Sequence, residues 1–300
     1  MGNKLSLVRN KKRIGNSGNV KNFDTETNHS HSSNNEFYTV PVRFEEFERL
    51  KIKHFVIKTV FEENFSAPIK DLLINGCRVL DIGCGPGTWI LDLSSVYTQS
   101  SFVGLDISLM FPSQIKPNNA DFVVADARNE LPFESNYFDY IHLGDMGYCF
   151  TEYEFDHVVI PECIRILKPG GWFESQETRR FINNSGPCSE KLVSLGEEFL
   201  KTLEIKPSAY SQNDLKKNPN MTNIKEYVKQ IPLGSWGGKI GEEFAETFLI
   251  ALPYFVERDT EENYLPFEEM NELINKIPLE ISECNSSVDC VRTFGQKKYS

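Results

Sequence analysis

An α/β fold with a doubly wound, mostly parallel sheet and helices on both faces is the fold class that the sequence predicts. Between residues 78 and 175, short apolar runs that resemble buried strands alternate with stretches of helical periodicity. The first run leads directly into a turn with three alternating glycines. Three of the runs end in a carboxylate, at Asp81, Asp106 and Asp126. Because ligands of parallel sheets bind beyond the carboxyl ends of the strands, these side chains are candidates for one binding site.

The composition narrows the class of protein. The chain has 300 residues, 40% hydrophobic and 25% charged, which is ordinary for a soluble globular protein. Its net charge of -11 argues against a general nucleic-acid binder, whose surface would be basic. The seven cysteines are scattered and include no Cys-x-x-Cys pair, so we expect no metal site and a reducing compartment. We expect a cytoplasmic protein, and a nuclear location stays open.

Residues 1–36 form a basic tail that we expect to be disordered, because it has too few apolar residues to offset the entropy of ordering. Its start, Met1 to Ser6, matches the N-myristoylation pattern with Gly2 as the lipid acceptor. The basic residues that precede Asp24 would supply the second signal for peripheral membrane contact. The alternative is a generic basic tail in which the glycine is accidental.

Residues 37–74 form an N-terminal helical segment. Apolar side chains recur there at three- and four-residue steps from Phe44 onward, with charged residues such as Lys53 between them, which predicts a packing face. Pro41 is expected to set the start of the helix.

Residues 75–178 contain the alternating core. The predicted strands are Arg78–Asp81, Ser101–Asp106, Asp121–Asp126, Tyr137–Leu143 and Trp172–Ser175, and the predicted helices are Thr88–Val96 and Tyr153–Leu167. A Lys168-Pro169-Gly170-Gly171 turn is expected before the fifth strand.

Residues 179–300 are expected to complete the sheet and to cover the substrate site. The sequence predicts helices at Lys191–Leu203, Gly241–Tyr254 and Phe267–Lys276, and a final strand at Asp289–Phe294.

The glycine turn indicates a nucleoside ligand. Nicotinamide-binding folds use Gly-x-Gly-x-x-Gly followed about 20 residues later by an acid that binds the ribose. The glycines at 83, 85 and 87 are spaced one residue more tightly, and Asp106 lies at a similar distance. No Lys-Ser or Lys-Thr follows, so the turn is not a phosphate-binding P-loop.

Four segments carry a family resemblance: Val79–Gly87, Gly104–Ser108, Asp126–Ala127 and Leu167–Gly171. Together they resemble the motifs of class I S-adenosylmethionine-dependent methyltransferases. The wider chain is similar to the fungal branch that includes methyltransferase-like regulators of secondary metabolism, through segments such as Phe37–Pro41 and Ile231–Trp236. The resemblance implies a Rossmann-like methyltransferase fold with S-adenosyl-L-methionine as the cofactor.

The resemblance also implies roles for the matching residues. The methionine moiety would be held by Asp81, Gly83, Cys84, Gly85 and Gly87, the ribose hydroxyls by Asp106, and the adenine by Ile107, Asp126 and Ala127.

Catalytic residues are not identified by the sequence. Methyl transfer depends mainly on holding the acceptor and the methyl group in line, and a base is needed only when the acceptor must lose a proton. Candidates for substrate contact or for a base are His142, Asp145 and Tyr148, at and after the end of the fourth strand, and Glu177, after the fifth. Each of them could instead be structural. No Asn-Pro-Pro-Tyr motif is present there, so methylation of a nucleic-acid base is not indicated.

The sequence thus predicts methyl transfer to a small molecule or a protein side chain. An alternative is a regulatory module that binds the cofactor, or has lost it, and acts through protein partners. An NAD-dependent oxidoreductase is disfavoured by the glycine spacing.

Overall fold

The computed structural model describes residues 44–205, 215–262 and 265–299. The strands of this part of the chain are β1 Arg78–Ile82, β2 Ser101–Asp106, β3 Ala120–Val124, β4 Phe138–Gly144, β5 Leu167–Asn183, β6 Met221–Pro232 and β7 Ser287–Lys297. They form one sheet in the order β3-β2-β1-β4-β5-β7-β6. The first five are parallel, and β7 is antiparallel to β5 and β6. The predicted doubly wound, mostly parallel sheet is confirmed, whereas Gly2 and the basic tail lie outside the described residues.

The α-helices are α1 Phe44–Phe61, α2 Lys70–Asn75, α3 Thr88–Val96, α4 Glu152–Glu154, α5 Ile160–Ile166, α6 Pro187–Thr202, α7 Gly238–Glu262 and α8 Phe267–Glu283, and a π-helical turn at Phe155–Val159 joins α4 to α5. Helices α2 and α3 contribute to an apolar core on one face of the sheet, and α5 contributes to a core on the other. A third core joins α1 to α6, α7 and α8. None of the described helices is long and apolar enough to cross a membrane.

The structure differs from the sequence predictions mainly in its C-terminal half. Strand β6 was not predicted, because most of its side chains are exposed or half-buried on an edge strand and show no apolar alternation. Strand β5 begins at Leu167, so the predicted turn at 168–171 lies within it; Gly170 there has a φ of 79°. Helix α8 continues seven residues beyond Lys276 and accommodates Pro278 in its interior.

Candidate functional site

The loop between β1 and α3 is a turn that only glycine adopts without strain. Gly83, Gly85 and Gly87 have φ values of 74°, 50° and 75°, in the left-handed region. The backbone amides of Gly83 and Cys84 both donate to the carbonyl of Leu105, at 2.8 and 3.0 Å. The loop is therefore fastened to the carboxyl end of β2, the strand that neighbours β1.

The three glycines differ in what surrounds them. A Cβ on Gly83 would overlap the side chain of Met146, and a Cβ on Gly87 would lie 2.6 Å from the ring of Phe122. A Cβ on Gly85 would meet only Leu50 of α1, at 3.4 Å. Gly85 is therefore the glycine with an open side, which lies under α1.

Asp106 connects this loop to the end of β2. Its carboxylate is buried; Oδ2 accepts from the amide of Gly85 at 2.8 Å, and Oδ1 accepts from the amide and hydroxyl of Ser108, each at 2.9 Å. The next residue, Ile107, is 42% exposed. The acid and the apolar side chain that the sequence assigns to ribose and adenine thus lie side by side.

Asp126 follows β3 and is held by Arg128. The guanidinium donates to both carboxylate oxygens at 2.8 to 3.1 Å, and the backbone amide of Arg128 donates to Oδ1 at 2.9 Å. Burial opposes ionisation of Asp126, but these hydrogen bonds outweigh it and lower the pKa of the carboxyl. An adenine amine would therefore share this carboxylate with Arg128. Ala127 is buried beside it.

Cys84 lies within the glycine turn and is buried. Burial, together with the nearby carboxylates of Asp81 and Asp106, raises the pKa of its thiol well above the usual value. The thiol therefore stays protonated, and it is a poor nucleophile because only a thiolate is an effective one. Its role in the turn is that of a small packing side chain.

The segment after β4, from Asp145 to Gly147, lies beside this loop. We call this segment the mouth of the candidate site. Asp145 has a φ of 55°, and its amide donates to the carbonyl of Gln176 at 2.7 Å. Its Oδ1 accepts from Lys53 of α1 at 2.8 Å and from the amide of Thr178 at 3.2 Å. The Asp145 carboxylate therefore joins α1, β4 and β5, and it is a structural contact as well as a candidate for substrate contact.

Glu177, on β5, is buried behind this turn. Its Oε1 accepts from the amides of Met146 and Gly147, at 2.9 and 2.8 Å. Burial raises the pKa of Glu177 to about 8; the carboxylate of Asp145 adds to the effect, while Lys53 and the two amides oppose it.

This pKa predicts a pH-dependent stability. A carboxyl whose pKa rises on folding contributes stability that is fully present below its ordinary value of 4.5 and is lost as the pH rises to about 8. Glu177→Gln keeps the acceptor oxygen and removes the titration. We expect the variant to match wild type below about pH 4.5 and to exceed it by roughly 2–4 kcal/mol at pH 8.5, measured by denaturant unfolding across this range.

Glu162→Gln is a control for which the pH dependence of the stability should have the opposite sign. Burial opposes ionisation of Glu162, but hydrogen bonds from Arg165 and the Leu131 amide lower its pKa. Its contribution is therefore present above the unfolded value and lost on acidification. Parallel stability curves for wild type and Glu177→Gln between pH 4.5 and 8 would contradict the assignment.

His142 lies one strand away from the glycine turn. Its Nδ1 is 2.7 Å from Oδ1 of Asp81, and its ring stacks on Trp89 with centroids 4.3 Å apart and planes at 3°. Both partners of the pair are buried. The sequence predicts Asp81 as a cofactor residue and His142 as a catalytic candidate, but it does not predict that the two form a pair.

The predicted site residues are therefore largely brought together. The glycine turn, Asp81, Asp106 and Ile107 meet at the carboxyl edge of the sheet, and Asp126 and Ala127 occupy the next loop. Tyr148 is half-buried in the segment after β4. Sequence reasoning missed Lys53, which it assigned only to a packing helix. No local signal could have identified its pairing with Asp145, because the two residues are remote in the chain.

The part of the chain that contains these residues is similar to known proteins. Residues 79–171 match the methyltransferase domain family. The chain is 30% identical over 166 residues to the N-methyltransferase verN of Clonostachys rogersoniana, covering 52% of this chain and 56% of that protein. It is 29% identical over 213 residues to the secondary metabolism regulator laeA of Aspergillus niger, covering 66% of this chain and 54% of that protein.

A third relative, the methyltransferase pytC of Aspergillus terreus, is 31% identical over 211 residues, covering 66% of this chain and 62% of that protein. The chain thus spans little more than half the length of the curated relatives it matches. A solved structure of Haemonchus contortus phosphoethanolamine N-methyltransferase 2 aligns with a TM-score of 0.47 at 18% identity, over 86% of this chain and 61% of that one. With the glycine turn and the strand order described above, the family match shows that residues 79–171 are similar to a methyltransferase domain.

Proposed function

We propose that this chain transfers a methyl group from S-adenosylmethionine to a small molecule or a protein side chain. One observation carries the proposal: the buried carboxylate of Asp106 holds the amide of Gly85 at the open part of a left-handed glycine turn. This arrangement places an acid for ribose hydroxyls beside backbone that a ligand can approach closely.

The residues present fit this cofactor. A carboxylate has about four acceptor positions, and three donors occupy the carboxylate of Asp106, which leaves capacity for a ribose hydroxyl. The exposed face of Ile107 offers apolar surface for a purine ring. Gly85 has no side chain to block the turn, and a Cβ there would have only Leu50 within contact distance.

When bound, the cofactor supplies an electrophilic methyl group on a sulfonium. The contribution of the chain is to position the acceptor and to exclude water. Helix α1 lies over the glycine turn through Leu50 and is fastened to the mouth by the Lys53–Asp145 ion pair. The short segment from Gly144 to Met146 lies against Gly83, where an acceptor would approach.

Calorimetric titration tests the proposal. We expect wild-type protein to bind S-adenosylmethionine and S-adenosylhomocysteine, and NADH not to bind. Asp106→Asn should weaken binding by roughly 10- to 100-fold, because a hydrogen bond to a charged group contributes about 1.5–3 kcal/mol.

Asp121→Asn is the matched control. Asp121 lies on β3 and pairs with Lys116 through a carboxylate that is 47% exposed, so its loss should leave cofactor affinity unchanged. Equal weakening by both variants, or no effect of Asp106→Asn, would contradict the role of Asp106.

A second candidate function is favoured by the similarity to laeA, which is named as a regulator of secondary metabolism. In that case the chain would bind the cofactor and act through protein partners without rapid turnover. Formation of S-adenosylhomocysteine in cell extract above the amount that the extract forms without this protein would distinguish the two, since only an active transferase adds to that amount.

A further inference from the structure

The Asp81–His142 pair has the geometry that orients an imidazole for proton transfer. The two residues face each other across the neighbouring strands β1 and β4, with Nδ1 and Oδ1 2.7 Å apart. Stacking on Trp89 fixes the plane of the ring. When Nδ1 donates its hydrogen to the carboxylate, Nε2 carries a lone pair and can accept a proton.

Nε2 is buried and has no hydrogen-bond partner among the described residues. Its ring is 3% exposed. A buried polar atom left unpaired costs about 1–3 kcal/mol, and the large majority of buried side-chain polar atoms in native proteins are paired. The pairing of Nδ1 and the burial of the ring therefore indicate a polar partner for Nε2 that the described protein groups do not supply.

The nitrogen-bearing edge of the ring points to the mouth. A Cβ on Gly144, the last residue of β4, would lie 2.9 Å from Cε1 and 3.6 Å from Nε2. Gly144 is not among the glycines with positive φ, so its backbone does not demand glycine. The missing side chain instead makes room for the ring itself, whose edge between the two nitrogens faces the carboxyl end of β4.

The other charged side chains near His142 on the sheet have hydrogen-bond or ion-pair partners of their own. Glu174 of β5 is the register partner of His142, and its carboxylate accepts from the amides of Ser66 and Ala67. Arg292 of β7 donates to Gln176 and lies 3.9 Å from Glu174. Asp145, just beyond Gly144, pairs with Lys53.

We propose that Nε2 of His142, oriented by Asp81, accepts the proton of the methyl acceptor. The inference rests on the proposed methyl transfer. The acceptor heteroatom forms a bond to the methyl carbon as the sulfur–carbon bond of the sulfonium breaks, and the proton of that heteroatom passes to Nε2. The sulfonium becomes a neutral thioether, and the resulting imidazolium is stabilised by the Asp81 carboxylate. The acceptor is therefore a hydroxyl, a thiol or an ammonium, which carry a proton to lose, and not a thioether.

Nitrogen-15 NMR of histidine-labelled full-length protein tests this without knowledge of the acceptor. We expect His142, identified by the signals lost in His142→Gln, to have a hydrogen on Nδ1 and a bare Nε2 at neutral pH. Asp81→Asn should remove the tautomer preference.

Two controls separate this role from a structural one. His54→Gln removes another histidine that faces an aspartate, Asp92 at 3.2 Å, and should leave the His142 signals unchanged. Gly144→Ala places a methyl group against the ring edge and should shift the His142 signals. A hydrogen on Nε2 of the neutral ring, or an unchanged tautomer in Asp81→Asn, would overturn the proposal.

Cofactor titration of the same samples distinguishes a failure of this inference from a failure of the proposed function. The expected tautomer together with S-adenosylmethionine binding by the wild-type protein supports both. The expected tautomer in a protein that binds no S-adenosylmethionine would overturn the methyl transfer on which this role depends. Binding with the wrong tautomer would overturn the role of His142 alone.

Discussion

Replacing Arg292 with alanine is expected to lower the free energy of unfolding by about 3–5 kcal/mol, because it removes one partner of a buried ion pair. Arg292 is 1% exposed and lies on β7. Its Nε donates to Gln176 at 2.8 Å and lies 3.9 Å from Oε1 of Glu174, and its Nη1 donates to the backbone carbonyl of Glu63 at 2.9 Å. Alanine would leave each of these acceptors without its cation.

The effect should extend to helix α1. The guanidinium of Arg292 lies 4.2 Å from the ring centroid of Phe61, the last residue of α1, and Glu174 accepts from the amides of Ser66 and Ala67. The Arg292–Glu174 pair thus fastens the connection between α1 and α2 to the sheet. Because α1 covers the glycine turn, we also expect weaker cofactor binding in the variant.

Denaturant unfolding measures the stability change. Arg179→Ala is the matched control: Arg179 is 3.5 Å from Asp289 with a side chain that is 38% exposed, so its removal should cost less than about 1 kcal/mol. The double variant Arg292→Met, Glu174→Gln neutralises both partners and should be more stable than Arg292→Ala. A stability of Arg292→Ala within about 1 kcal/mol of wild type would contradict this account.

Gly87→Ala is expected to lower the free energy of unfolding by about 2–5 kcal/mol. The left-handed conformation at a φ of 75° costs a non-glycine residue roughly 1–2 kcal/mol. The added methyl group would also lie 2.6 Å from the ring of Phe122, which stacks on Phe111 with centroids 4.9 Å apart. Overpacking of this kind adds about 1–3 kcal/mol.

Gly85→Ala should separate folding from binding. Its Cβ would meet only Leu50 at 3.4 Å, so we expect a stability cost of about 1–2 kcal/mol from backbone strain alone. The methyl group would nevertheless occupy the open side of the turn and reduce S-adenosylmethionine affinity. Thermal unfolding and calorimetric titration of both variants provide the comparison, and a larger stability loss in Gly85→Ala than in Gly87→Ala would show that the turn is packed differently.

The sequence by itself determined the features that depend on neighbouring residues. Apolar runs predicted β1 to β4 to within two residues at each end, because the side chains of a buried strand are apolar on both faces. The alternating glycines located the left-handed turn, since only glycine adopts that conformation freely. The carboxylates near the strand ends predicted which edge of the sheet holds the candidate site, because parallel strands share one carboxyl edge.

The tertiary structure alone decided which distant residues meet. His142 pairs with Asp81 from 61 positions away, and Glu174 binds the amide of Ser66 from 108 positions away. Local periodicity carries no information about such partners, because they are chosen by strand order and register. The same reason explains β6, whose mostly exposed residues form a strand only because β7 lies beside them. The glycine turn and the carboxylates at the strand ends were thus predictable from local sequence, whereas the Asp81–His142 pair and the attachment of α1 to the sheet arise only when the sheet assembles.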